Sequence, residues 1–326
     1  MSSDTRHKLW LAAKTLLALA IVVGVARYFQ GILTHSQFDA QRLNLRFELL
    51  VPAGLLYLLA HFCWAIFWVR LLHGQGIHVS WGVGLRAYFV SQLGKYVPGK
   101  AWVILMRVGI LRHYGGHPLP VAITATYETL CSMAAGALLG VLLLPQLGVL
   151  PVELSSNVSA LIAVAALPVA LGVLNKLAAK IVAKKRGPEA RPLPAPSVFL
   201  LAQGLLHGAC GHCLLGLSLG LTIAAVAPQS AAMTDTYPAD LGASAISYVA
   251  GFVAIVVPGG LGVREWVLQI ALTPRFADAI GTQEAAGLAV IIALILRLVW
   301  TAAEVILAAV LYFIPSHYPE PHHHAR

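Results

Sequence analysis

The sequence predicts an all-α polytopic membrane protein with about six full spans and two re-entrant helical hairpins arranged as an inverted repeat. Three observations point there. The 326 residues are 59% hydrophobic and only 11% charged, with a mean hydropathy of +0.79; a soluble domain carries about 25% charged residues. Apolar runs of about twenty residues, the length that crosses a bilayer, recur along the chain. Two further apolar stretches are interrupted at matching places, Val97-Pro98-Gly99 and Val257-Pro258-Gly259. Broken backbone at membrane depth is tolerated only where protein or a water-filled cavity surrounds it.

Residues 9–29 form the first candidate span, with Lys14 close enough to its start to snorkel, and residues 31–48 read as a polar surface segment. Together they make up region 1–48. The first repeat covers 49–145. It opens with a span at 52–72 that ends in Trp64, Trp68 and Arg70, residue types suited to an interface. Residues 81–94 are apolar but too short to cross. Pro98 and Gly99 then remove a backbone donor and permit a reversal, and 101–110 resumes. This predicts a hairpin over 81–113 that returns to its own side. A span at 120–144 follows.

Region 146–196 holds a span at 157–174 and the most basic loop, with Lys176, Lys180, Lys184, Lys185, Arg186 and Arg191. The second repeat, 197–314, reads as a span at 197–225, an outer loop at 227–240 without Lys or Arg, a short hairpin over 243–273, and a long last span at 284–314. Residues 315–326 form a tail. Lys and Arg favour cytoplasmic loops, which puts the 184 loop and both termini in the cytoplasm. The net charge of +9 then suits an anionic membrane surface. The basic residues form no basic domain, which excludes nucleic acid as a partner.

The repeat is visible in sequence. Setting Tyr88 on Tyr248 also aligns Val97 with Val257, Pro98 with Pro258, Gly99 with Gly259 and Val103 with Val263. Two such broken segments in corresponding halves are the best sequence pointer to a transport site.

The cations nearest the breaks are Lys95, Lys100, Arg107 and Arg264. One reading leaves them in the headgroup layer around shallow hairpins. The other makes an anion site: a helix resuming after a break offers free N–H groups and a positive dipole end that suit a phosphate. On that reading Tyr88, Gln92, Lys95, Tyr96, Gly99, Lys100, Arg107, Gly259, Gly260, Gly262 and Arg264 bind an anionic headgroup. Glu128, Glu265, Arg297 and Glu304 are the remaining charges in apolar surroundings. They either pair internally, Arg297 with Glu128 or Glu265, or form a coupling site for an ion.

The four cysteines lie in apolar segments and argue against a disulfide framework. His207, Cys210, His212 and Cys213 share one helix without a second pair, so they predict packing and no metal. No cofactor motif and no catalytic motif is present, and the chain is not expected to be an enzyme. The spacings Gly204 to Gly208 and Gly216 to Gly220 suit helix packing.

The stretch Gly94-Lys95-Tyr96-Val97-Pro98-Gly99-Lys100-Ala101-Trp102, with Val257-Pro258-Gly259-Gly260-Leu261-Gly262-Val263-Arg264-Glu265, resembles the lysylphosphatidylglycerol synthase transmembrane-region family of flippase-like membrane proteins. The resemblance extends over nearly the whole chain in length and span order. It implies translocation of lipids with modified anionic headgroups, such as phospholipids or polyprenyl-phosphate sugars, in a bacterial inner membrane. The soluble aminoacyltransferase domain of the bifunctional members has no counterpart here, so the synthase activity does not carry over. The implied partners are an anionic membrane lipid and an enzyme of envelope-lipid or glycan biosynthesis. Alternatives are a secondary transporter of a small anion, a non-transporting subunit of an envelope glycosyltransferase, and an enzyme acting on lipid phosphates.

Overall fold

The structure is a computed structural model that describes residues 45–97, 101–147, 197–228, 233–254 and 257–313, with the single positions 27, 30, 31, 34, 176 and 180. The predicted first span at 9–29, the span at 157–174, the tail, and most of the surface segment and the basic loop lie outside the described residues. So do Gly99 and Lys100.

The described residues are helical throughout, with no strand among them. Four helices are long and apolar enough to cross a membrane: α1 (Phe47–Gly74), α4 (Pro118–Leu142), α5 (Val198–Val226) and α8 (Thr282–Phe313). They correspond to the four predicted spans that fall in the described region. At 28 residues, α1 is about 42 Å long. Between them lie the shorter α2 (Trp81–Gln92), α3 (Ala101–Arg112), α6 (Met233–Val253) and α7 (Val263–Ile280). Two 3-10 turns, Leu93–Tyr96 and Pro258–Gly260, sit at the breaks.

Helix α5 stands at the centre, against α1, α4, α6 and α8. Its glycines explain the close approach. A side-chain carbon at Gly204 would run into Phe67, at Gly208 into Ala135, at Gly211 into the Trp64 indole and at Gly216 into the backbone of Leu241. Small residues at these positions let dispersion contacts accumulate where no hydrophobic gain exists between helix and lipid. Polar links tie the same helices together. The Trp300 indole donates to the Ser218 hydroxyl at 2.9 Å, which donates to the Ala53 carbonyl at 2.8 Å.

Helix directions follow from the end contacts. The Arg46 amide donates to the Ala225 carbonyl, so α1 begins where α5 ends. Gly74 packs on Leu200 at the other end. The last turn of α4 meets α6 through Gly140 and Ile246, and Arg86 donates to the Tyr312 carbonyl at the end of α8. The α2–α3 pair and the α6–α7 pair face each other between the long helices. Their broken tips touch: Gly259 approaches the Lys95 carbonyl and the Tyr96 ring.

The second pair departs from the predicted boundaries. The loop placed at 227–240 is helical from Met233, and the arm placed at 264–272 continues to Ile280. Pro238 and Pro274 lie inside the helices. Arg275 compensates by reaching back to pair with the buried Asp240 carboxylate and to donate to the Thr236 hydroxyl at 2.9 Å, which clamps α7 onto the start of α6.

Candidate functional site

Where the tips meet, a cavity of about 320 Å³ opens between α2, α3, α4 and α6. Its floor is His61 and Trp64 of α1, and its inner wall carries Tyr88, Gln92, Lys95, Arg107, Glu128 and Arg264. Tyr248, Gly251, Gly259 and Gly260 close it on the side of the second hairpin. Toward its mouth the lining turns apolar, with Ala101, Ile104, Leu130, Met133 and Phe252. Ala101 and Phe252 are exposed, as are the neighbouring Trp102, Leu105 and Val253. The space is thus polar at its inner end and apolar where it meets the outside of the bundle.

The charges are arranged in pairs that cross between elements. Arg107 of α3, 1% exposed, meets Glu128 of α4 at 2.9 Å. Its Nε donates to the Ser91 hydroxyl at 3.2 Å. Lys95, in the first broken tip, meets Glu304 of α8 at 2.9 Å and donates to the Tyr57 hydroxyl at 3.0 Å. The Tyr96 hydroxyl donates to the same Glu304 at 2.8 Å. Arg297 of α8 meets Glu265 of α7 at 3.4 Å and donates to the Gly259 carbonyl at 3.0 Å. Each pair satisfies a charge that would otherwise cost several kcal/mol, and removing one partner of such a pair costs about 3–5 kcal/mol.

Arg264 differs. Among the described residues it makes no ion pair with a carboxylate, and its buried Nε has no hydrogen-bond partner. Its guanidinium lies 4.1 Å from the Tyr248 ring centroid and 5.5 Å from that of Trp300. Stacking of this kind is worth about 2 kcal/mol when desolvated. It offsets part of the cost of taking the charge out of water.

The backbone at the second tip explains its glycines. Gly259, Gly260 and Gly262 have φ of 58°, 66° and 87°, a region that side chains other than glycine rarely adopt. A side-chain carbon at Gly260 would also meet the Gly251 backbone. This turn aims α7 so that Arg264, in its first turn, reaches the cavity. At the start of α7 the Glu265 carboxylate accepts from the Gly262 amide, and Gly262, the N-cap, has no side chain to take the N–H groups of the first turn.

The structure thus brings seven of the predicted headgroup residues to the cavity: Tyr88, Gln92, Lys95, Arg107, Gly259, Gly260 and Arg264. Tyr96 and Gly262 support the tips from behind. Gly99 and Lys100 are not described. Glu128 lines the cavity, whereas Glu265, Arg297 and Glu304 stand behind it in pairs. Of the two partners proposed for Arg297, the structure selects Glu265; Glu128 is taken by Arg107. His61, Trp64, Tyr248 and Trp300 were not among the predicted site residues. The alignment of Tyr88 with Tyr248 was the signal that could have found one of them.

The histidines and cysteines of α5 are dispersed. His207 bonds the Gln203 carbonyl at 2.7 Å, His212 bonds the Ser132 carbonyl at 3.0 Å, and Cys210 lies 3.8 Å from Cys63. Among the described residues no three His, Cys, Asp or Glu side chains converge as metal ligands. Comparison with models of known protein families finds no match, and comparison with curated protein sequences finds none either.

Proposed function

We propose that this protein is a multi-pass transporter of the bacterial inner membrane that moves a lipid with a phosphate-containing headgroup between leaflets. It has six spans, the α2–α3 and α6–α7 pairs are re-entrant hairpins related as an inverted repeat, and the chain is a member of the flippase-like family its motifs resemble. The observation that carries the proposal is Arg264: a cation that meets no carboxylate among the described residues, on the wall of a cavity whose other side is apolar and exposed. A phosphate held there can leave its acyl or prenyl chains in the bilayer through the mouth beside Ala101 and Phe252. The site lowers the cost of stripping water from a charged headgroup, which is what opposes unaided crossing.

Charge at the two ends of the bundle supports the orientation. Arg70, Arg86 and Arg112 lie at the end where the first hairpin opens, with no described carboxylate beside them on the chain. Glu48, Asp235, Asp240, Asp278 and Glu284 lie at the end where the second opens, against two arginines there, Arg46 and Arg275. Basic residues favour the cytoplasmic side, which puts the first hairpin's open end and the end of α8 there. A carrier of a small soluble anion would gain nothing from an apolar mouth.

The test is reconstitution into liposomes with acyl-labelled phospholipids and polyprenyl phosphates, followed by a leaflet-accessibility assay with and without a proton gradient. Facilitated crossing of an anionic lipid that Arg264→Ala removes is the expected result. Crossing of no anionic lipid under either condition would sink the proposal.

A further inference from the structure

We infer that α8 is a strut that fixes the gap between the two broken tips, with Glu304 and Arg297 as its positioning residues. Neither lines the cavity, and each acts through a tip that does. This rests on the translocation reading above for what the cavity holds.

Arg297 and Glu304 lie seven residues apart on α8, close to two full turns and about 10.5 Å along its axis, so they share one face. Glu304 holds the first tip. Its carboxylate meets the Lys95 ammonium at 2.9 Å and accepts from the Tyr96 hydroxyl at 2.8 Å. Arg297 holds the second tip. It donates to the Gly259 carbonyl at 3.0 Å and meets the Glu265 carboxylate at 3.4 Å. The same carboxylate accepts from the Gly262 amide, so the second turn hangs on one guanidinium at both ends.

Tyr96 joins the two ties. Its hydroxyl also lies 3.3 Å from that of Thr301, one turn before Glu304 on the same face. The Arg297 guanidinium lies 6.0 Å from its ring centroid, and a side-chain carbon at Gly259 would touch the ring. Both tips and three positions of α8 therefore meet at one side chain.

Burial makes the ties stiff. Glu304 is 2% exposed and Glu265 3%. A charge held away from water cannot exchange its partner for solvent, so loss of one partner strands the other. The polar walls of the cavity are set by these ties, with Gln92 and Lys95 on one side and Gly259, Gly260 and Arg264 on the other. Helix α8 packs on both α2 and α7, so a shift of either tip is carried to the other through α8.

The test is hydrogen-exchange mass spectrometry of the full chain in nanodiscs, which reads local opening segment by segment. Glu304→Gln is expected to speed exchange at 93–97 and, about fivefold or more, at 258–263, a tip that Glu304 does not touch. Arg297→Gln is expected to do the same at 93–97. Exchange in α5 should stay at the native rate in both. A second readout is rescue: Lys95→Glu combined with Glu304→Lys re-forms the first tie with its charges exchanged, and should return 258–263 to the native rate. Faster exchange confined to each variant's own tip overturns the inference and leaves translocation standing. Faster exchange in every helix, α5 included, also overturns it, because the two residues would then hold the whole fold. Tyr96→Phe removes a single hydroxyl, and gives the same comparison with a smaller effect where a charge variant fails to fold. Failure of any lipid to cross in liposomes bears on the translocation reading alone.

Discussion

Two arginines of this protein lie on matching aromatic cushions and differ in one respect. Arg107 lies 4.3 Å from the Tyr88 ring centroid and 4.5 Å from that of Trp68. Arg264 lies 4.1 Å from Tyr248 and 5.5 Å from Trp300. Tyr88 and Tyr248 are the residues that the internal repeat aligns. Yet Arg107 has Glu128 at 2.9 Å, and Arg264 meets no carboxylate among the described residues. A buried pair holds elements together; a half-buried cation on a cavity wall is placed to meet an anion.

The largest expected effect breaks this contrast on the side of stability. Arg107→Ala leaves Glu128 buried and alone, and should lower the unfolding free energy by about 3–5 kcal/mol. Arg264→Ala removes a charge that nothing compensates, and should stay within about 1 kcal/mol of the native protein, because the lost stacking is offset by relief of desolvation. Thermal denaturation in detergent micelles compares the two. Equal losses would mean that Arg264 has a partner after all.

A smaller effect concerns the turn that aims Arg264. Gly260→Ala places a side-chain carbon at φ of 66° and against Gly251, and should cost about 1–3 kcal/mol. Gly109 provides the control in the first hairpin. It sits within α3 with open space around it, so Gly109→Ala should stabilise by about 0.5–1 kcal/mol through helix propensity. The same melting curves check both. The finest distinction is Arg264→Lys, which keeps the charge but loses the planar edge and the stacking. It should retain part of the lipid crossing that Arg264→Ala abolishes, read in the leaflet-accessibility assay.

Much of this was legible in the sequence because the signals were local. Pro98 and Pro258 marked the breaks, and the long apolar runs marked α1, α4, α5 and α8. The alignment of Tyr88 with Tyr248 pointed to the two tyrosines on which Arg107 and Arg264 stack. What was not legible depended on contacts across the chain. The hairpin bounded at 273 fell short of Ile280, because Arg275 pairs with Asp240 across the chain and ties the continuing helix down. Lys95 and Arg107 read as free cations because their partners, Glu304 and Glu128, lie 209 and 21 residues away. The bond from the Gly262 amide to the Glu265 carboxylate spans three residues and was within reach of the sequence.

The most direct measurement is a density map of the full chain in nanodiscs containing a phosphatidylglycerol-type lipid. The expected result is a headgroup phosphorus within ion-pair distance of the Arg264 guanidinium, with the acyl chains leaving between Ala101 and Phe252. A map in which Arg264 pairs with a carboxylate of the protein itself, and lipid occupies only the outer surface of the bundle, would contradict it.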